Sequence, residues 1–373
     1  MKKIQLIIVV FAIGIFTTSC RKSGCTNPNA INYDSNAKVD DGSCVCTPAS
    51  GPTPYQLQIP QTFSLYLPAP IIPVSNPMTV EGVALGKKLF FDKQLSGDNT
   101  LACAGCHFPT QAFDDTNRFS IGIDGIRGDR NAMPIFNHAW NTGEKFFWDG
   151  RANTLEVQAF EPVLNPIEMH DTWPNVVSKL QADESYPALY LAAFSTSTID
   201  SVLTSKALAQ YERTLISGNS RFDKYLLRQI NLTSSELNGF GLFMDESGAD
   251  CFHCHGDATN PLWTDNLFHN NGLDASFTDN GLGDITGSPS DNGKFKTPSL
   301  RNLAYTAPYM HDGRFKTLDE VIDHYSDSLV YSSTISPLLK HIPAGGVNLT
   351  IQEKGDLKAF LLTLTDSSFV IGH

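Results

Sequence analysis

The chain has 373 residues and eight cysteines, and 27 Lys and Arg against 39 Asp and Glu give it a formal charge of −12. That balance argues against nucleic acid or an anionic membrane face as a partner; it suits a basic electron-donor protein, although a solvated acidic surface needs no partner at all. An even scatter of apolar residues, with one long apolar run at the start, points to an exported globular body.

The run is Ile4 to Phe16, preceded by Lys2 and Lys3 and followed by Thr17-Thr18-Ser19-Cys20. This is a basic n-region, an h-region too short to span a bilayer as a mature helix, and small residues before a cleavage site. Its end resembles a bacterial lipobox, with Thr17 where Leu is usual, so residues 1–19 read as a lipoprotein signal peptide and Cys20 as the lipidated residue. A plain signal peptide is the alternative. Either way the mature protein is placed outside the cytoplasm, in the periplasm or at the outer membrane, touching a membrane only through a lipid anchor.

Residues 20–76 form a second segment. Setting aside Cys20 and the four cysteines of the motifs described below leaves Cys25, Cys44 and Cys46, an odd number that cannot all pair within the chain. A Cys25–Cys44 bridge is the first choice and Cys46 the alternative partner. The stretch from Gly24 to Cys44 resembles a short cysteine-bracketed acidic module of secreted bacterial proteins, in which Asp and Asn side chains can hold calcium. A disulfide-stapled spacer fits as well. Pro follows at 48, 52, 54, 60, 68, 70, 73 and 77, the composition of an extended tether or an arm lying on the body.

The body divides into residues 77–225 and 226–373, each of ordinary domain size. Amphipathic helices are predicted at 79–91, 154–160, 172–180, 201–216, 233–246, 317–324 and 350–364. Thr233 with Glu236 and Thr350 with Glu353 form capping-box patterns, and Thr172 and Thr317 mark other starts. The loop from His255 to Lys296 is long enough to demand a ligand to wrap.

That ligand is named by two copies of Cys-X-X-Cys-His, at Cys103, Cys106 and His107 and at Cys251, Cys254 and His255. Two thiols three residues apart lie on one face of a helical turn and reach both vinyl groups of a porphyrin, while the next residue ligates the iron. A zinc tetrahedron of four thiolates accounts for the cysteines but gives no reason for a histidine after each pair. A redox dithiol lacks the surrounding thioredoxin-like pattern. Two covalent haem c groups follow, and a mainly α fold of two tandem cytochrome-c-like haem domains with long haem-wrapping loops.

Further strings occur in order: Arg130-Asn131, Pro134-Ile135-Phe136-Asn137, Phe147-Trp148-Asp149-Gly150-Arg151-Ala152, Asn165-Pro166-Ile167-Glu168-Met169, Pro298-Ser299-Leu300-Arg301-Asn302 and Pro308-Tyr309-Met310-His311-Asp312-Gly313. With the two haem motifs they closely resemble the bacterial di-haem cytochrome c peroxidase family, which includes MauG, from about Pro77 to about Leu364. The resemblance implies that hydrogen peroxide meets the iron on His107, that the haem on His255 receives electrons, and that Trp148 lies between them. It implies Glu168 as the distal acid–base residue, with Gln158 and Pro162 nearby. It also implies a calcium ion held by the Asn131 side chain and the carbonyls of Thr306 and Pro308, oxygen donors that suit a hard cation. Family members are often dimers, though no dimer face is legible in these residues.

Two departures bear on mechanism. Typical members place a blocking histidine where this chain has Ile123, so the first haem is expected to be open. His138 and His170, the nearby histidines, read as satisfied loop or core residues. Typical members also carry a methionine fourteen residues after the histidine matching His311, and here that place is Tyr325, the MauG pattern. A phenolate stabilises ferric and higher iron. Tyr325 is therefore the first choice as second axial ligand of the C-terminal haem, ahead of Met310 and His324.

Three functions are open at this point. The first is an exported peroxidase reducing hydrogen peroxide to water with electrons from a c-type cytochrome or another periplasmic donor. The second is a MauG-like enzyme that uses a high-valent state to oxidise residues of a partner protein. The third is a di-haem electron carrier without catalysis, against which Ile123 and Glu168 count.

Overall fold

The computed structural model describes residues 22–28, 30–45 and 51–372. The signal peptide, Cys20 and Cys46 lie outside them. The chain forms two compact units, divided after Gly51.

In the first unit, β1 (Ser23–Gly24) pairs in parallel with β2 (Val39–Asp40), and Cys25 is disulfide-bonded to Cys44. Its carboxylates serve the turns. Asp34 accepts from the Asn36 N–H, Asp40 from Gly42 and Asp41 from Ser43, each two residues on. These are Asx turns, in which a short acidic side chain stands in for a backbone acceptor. Among the described residues no group of His, Cys, Asp and Glu is arranged to hold a metal ion.

The second unit begins with the Pro-rich segment, which lies along the body. It carries a short helix, α1 (Gln61–Tyr66), whose buried Phe63 meets Trp140 edge to face with ring centroids 5.0 Å apart. The Trp140 indole N–H donates to Pro68 O, and the Ile71 N–H to Ala139 O.

Helices then follow in two sets. The first comprises α2 (Val80–Phe90), α3 (Leu155–Leu164), α4 (Trp173–Ala182), α5 (Tyr186–Phe194) and α6 (Ser201–Arg213). It surrounds a cluster that includes Leu85, Phe90, Val176, Tyr190 and Leu208. The second set comprises α7 (Arg221–Leu226), α8 (Ser234–Met244), α9 (Phe252–His255), α10 (Leu282–Thr286), α11 (Leu318–Asp327), α12 (Ile351–Leu362) and α13 (Ser367–Ile371). A second cluster joins Phe222, Phe243, Trp263, Ile322 and Phe360. Sheet is minimal there: β3 (Phe268–His269) pairs antiparallel with β4 (Phe295–Lys296). The α13 helix returns to the first set, packing Phe369 on Phe113 and Phe136.

Each set turns on one close helix crossing. A Cβ on Gly86 of α2 would stand 1.9 Å from Ala207 O of α6, and one on Gly239 of α8 equally close to Asp356 O of α12. No larger residue fits either crossing, because packed backbones leave no space for another methyl.

The helices predicted from periodicity all form, with ends shifted by a few residues, and the two capping boxes are made at both ends. Thr317 with Glu320 and Ser220 with Asp223 add two more. The shorter α1, α7, α10 and α13 and the uniformly apolar α5 were not predicted. An apolar-all-round helix has no stripe to read, and helices of five or six residues depend on tertiary packing.

One buried carboxylate makes a stability prediction. Glu212 of α6 is 3% exposed and its Oε2 has no hydrogen-bond partner. Burial pushes its carboxyl up to about 8, although Arg213 beside it acts in the opposite direction. A folded-state value above the unfolded one means the folded chain keeps a proton that the unfolded chain releases, so stability falls as pH rises from the ordinary carboxylate range towards 8. Glu212→Gln is neutral throughout. It is expected to stabilise the fold at pH 8 by on the order of 2–4 kcal/mol and to do little at pH 4. Urea melts at both pH values check this, and equal shifts would contradict it.

Candidate functional site

The two Cys-X-X-Cys-His motifs are built alike. Cys103 to Gly105 make one tight helical turn, closed by the His107 N–H on Cys103 O at 2.9 Å. Cys251 caps α9, and the His255 N–H reaches Cys251 O at 3.1 Å. The imidazoles are oriented alike too. His107 Nδ1 lies 3.1 Å from Phe113 O, and His255 Nδ1 lies 3.2 Å from Trp263 O. Both carbonyls come from bulky aromatic residues with positive φ, 60° at Phe113 and 54° at Trp263. Such residues rarely adopt that conformation, and here it turns a carbonyl onto the ring. An Nδ1–H donated to a carbonyl leaves the Nε2 lone pair for a metal. Burial lowers both imidazoles, His255 to about 4, so they are neutral, the form that ligates.

The four thiols show what these motifs are not. Burial pushes Cys103 far up, Cys106 to about 11, and Cys251 and Cys254 to about 12. A reactive dithiol needs the opposite shift. A four-thiolate zinc site needs both pairs together, and the structure separates them into different cavities.

The first cavity, about 730 Å³, is lined by Cys106, His107, Gln158, Pro162 and Glu168; the second, about 210 Å³, by Cys251, Cys254, His255, Met310 and Tyr325. Trp148, Asn131 and Lys296 line both. Trp148 is buried, its indole N–H donates to Asn131 O at 2.8 Å, and its carbonyl receives the Lys296 N–H at 2.9 Å. Its ring is thus held by the Asn131 carbonyl and its backbone by strand β4.

Glu168 sits midway along the loop between α3 and α4. Asn165 Nδ2 donates to its Oε1 at 2.6 Å, and its carbonyl receives the Ile123 N–H at 3.0 Å. Burial raises its carboxyl, with the Asn165 hydrogen bond acting against that. Gln158 Oε1 is buried in the same wall without a partner. Ile123 does not line the cavity; the imidazoles that do are those of His107 and His138.

His138 departs from the sequence reading. It was expected to be a satisfied residue, yet its Nδ1 is buried without a partner beside Phe146, and burial pushes the imidazole down to about 3. His170 is exposed and meets Asp124 at 2.5 Å, away from the cavity.

Asn131, Thr306 and Pro308 all line the second cavity. The Asn131 amide nitrogen is committed to the carbonyls of Asn117 and Arg118, at 3.2 and 3.3 Å, which fixes the orientation of its Oδ1. Tyr325 and Met310 both line this cavity, whereas His324 does not. Its Nε2 is held by Asn271 O at 3.0 Å. Burial raises the Tyr325 phenol.

Sequence reasoning missed Lys296. It is 7% exposed, yet its Nζ donates to Asn141 Oδ1 and Asn266 O, each at 3.1 Å, and burial lowers the ammonium to about 8. Nothing local distinguishes it from a surface lysine, because its burial comes from strand β4 lying between the cavities.

Comparison with known proteins completes the site. Residues 80–231 match the family model described as di-haem cytochrome c peroxidase. The methylamine utilization protein MauG of Methylophilus methylotrophus is 34% identical over 300 residues, covering 80% of this chain and 87% of that protein. The chain belongs to the di-haem cytochrome c peroxidase and MauG family. Cytochrome c551 peroxidase of Nitrosomonas europaea is 35% identical over 263 residues, 68% of this chain and 76% of that protein. Among solved structures, a MauG-like protein associated with microbial copper homeostasis superposes with a TM-score of 0.76 at 37% identity, covering 85% of this chain and 97% of the other.

Two haem c groups are the family's cofactors, and the residues fit them. Each motif supplies two free thiols and a neutral imidazole held through its Nδ1, facing a cavity. The first cavity also holds two unsatisfied buried polar atoms, on Gln158 and His138. Its volume lies in the ordinary range for a bound cofactor. A mostly helical fold and a peroxidase-type oxidoreductase class follow from the family.

Proposed function

We propose that this is an exported di-haem peroxidase that reduces hydrogen peroxide to water, taking two electrons and two protons per peroxide. The observation carrying the proposal is Glu168, a half-buried carboxyl that desolvation holds above its ordinary range, in the cavity lined by His107. When bound, the haem on Cys103, Cys106 and His107 supplies the redox-active iron. The chain's own part is the proton. Glu168 takes it from one peroxide oxygen and returns it to the other, so that the departing oxygen leaves as water. Asn165 holds the carboxyl in place. Ile123 provides no ligand to block the site, so no reductive activation is needed. Trp148, lining both cavities, would bridge the two haem sites for electrons, and a small c-type cytochrome or another periplasmic donor would supply them. Calcium is assigned to Asn131 and the carbonyls of Thr306 and Pro308, and lipidation to Cys20. Among the described residues no helix is long and apolar enough to cross a membrane.

Tyr325 in the wall of the second cavity favours a second reading, in which residues of a partner protein supply the electrons, as in the MauG branch. Stopped-flow absorbance separates the two. The diferric protein is mixed with one equivalent of peroxide, with and without reduced cytochrome c. Prompt oxidation of the cytochrome is the expected result. An oxidised spectrum that persists and that cytochrome barely touches would move the assignment to protein oxidation. No reaction with peroxide at all would leave an electron carrier.

A further inference from the structure

The side-chain amide of Asn271 touches both candidate donors of the second cavity. Its Nδ2 is 3.4 Å from Met310 Sδ and 3.4 Å from Tyr325 Oη. The rest of the residue is equally committed. Its carbonyl holds His324 Nε2 at 3.0 Å, which keeps that imidazole out of the cavity and locks the residue beside Tyr325. Its neighbours are anchored as well. Buried Asn270 donates to Ser332 and Thr334 at 2.9 Å, and the Val330 N–H donates to Gly272 O at 2.8 Å. Asn271 is therefore a fixed point of the wall.

We propose that Asn271 is a positioning residue that holds Tyr325 and Met310 as a pair of alternative axial donors and selects the oxygen over the sulfur. The proposal rests on the reading of this cavity as a haem site. The chemistry follows from the donor count. An amide NH₂ has two hydrogens and can serve both acceptors at once. A thioether is a weak acceptor, whereas a hydrogen bond to an anionic oxygen is roughly twice as strong as one between neutral groups. The amide thus favours the state in which Tyr325 ligates as phenolate and Met310 stays outside the iron's reach. Loss of the N–H donors removes that preference. The iron–oxygen bond then breaks, the phenolate takes one proton from solvent, and an iron–sulfur bond to Met310 forms; no electron is transferred. A thioether ligand raises the haem potential, so the choice between donors sets whether this haem stores oxidising equivalents or accepts electrons.

The test uses the haem-loaded protein and spectroscopy, without turnover. Asn271→Asp keeps the side-chain shape and removes the N–H donors, and Asn271→Leu removes them with an apolar group, so a folding failure in one leaves the other. Haem content is measured by pyridine haemochrome, and the ferric C-terminal haem by near-infrared magnetic circular dichroism and electron paramagnetic resonance. The expected result is an oxygen-ligated haem in the unaltered protein and a thioether charge-transfer band in the variants, lost again when Met310→Leu is added. Two haems with ligand signatures unchanged by either variant overturn the proposal alone. A single haem in the unaltered protein overturns the reading of the cavity itself.

Discussion

Glu168→Gln is expected to lower the rate of peroxide reduction by roughly 10²–10⁴-fold, the usual contribution of a positioned acid–base group. Gln keeps the size of the side chain and can still meet Asn165, so haem content and melting temperature should hold. The pH profile sharpens the test. Burial raises the Glu168 carboxyl above the ordinary glutamate value. The carboxylate is the form that accepts the first proton, so the rate in the unaltered protein should fall as pH drops through that raised value. In the variant this acid limb should vanish, because no group is left to titrate. If the variant turned over peroxide at the original rate with the limb intact, another residue would move the proton. His138, lining the same cavity with an unpartnered Nδ1, would be the next to replace.

The second large effect is on stability. Arg301 is 0% exposed and makes a two-pronged pair with Asp223, at 2.8 and 2.7 Å, while its Nε donates to Pro261 O. Asp223 also closes the capping box of α7 through Ser220 and receives Thr62 Oγ1 of α1. One buried pair thereby ties the Pro-rich arm, the start of the second helix set and the Pro-Ser-Leu-Arg-Asn string together. Arg301→Met leaves a buried carboxylate without its cation, which typically costs about 3–5 kcal/mol. Chemical denaturation of the haem-loaded protein should show that loss. The double variant Arg301→Met with Asp223→Leu should recover much of it, because two apolar groups leave no charge unpaired. A double variant no more stable than the single one would mean that packing around Arg301, not charge, carries the effect.

Arg301 also shows where sequence and structure part. As one residue in a string it supported a family resemblance but had no role of its own, and its partner Asp223 is 78 residues away. Lys296 is similar, since its burial between two cavities leaves no local trace. So is His138, whose neighbours in sequence gave no hint that its Nδ1 lacks a partner.

What the sequence by itself determined is the chemistry encoded within a few residues: the two haem attachment motifs, the capping boxes, the amphipathic helices and the absence of histidine at position 123. These depend on spacing along one turn or one helix face, so they survive without knowledge of the fold. The tertiary structure alone decided which side chains share a cavity. It put Trp148 in the walls of both, placed Tyr325 and Met310 at one wall while binding His324 elsewhere, and turned the carbonyls of Phe113 and Trp263 onto the two imidazoles. Such pairings arise from long-range packing of helices and loops, where burial and hydrogen-bond partners come from parts of the chain that no local pattern connects.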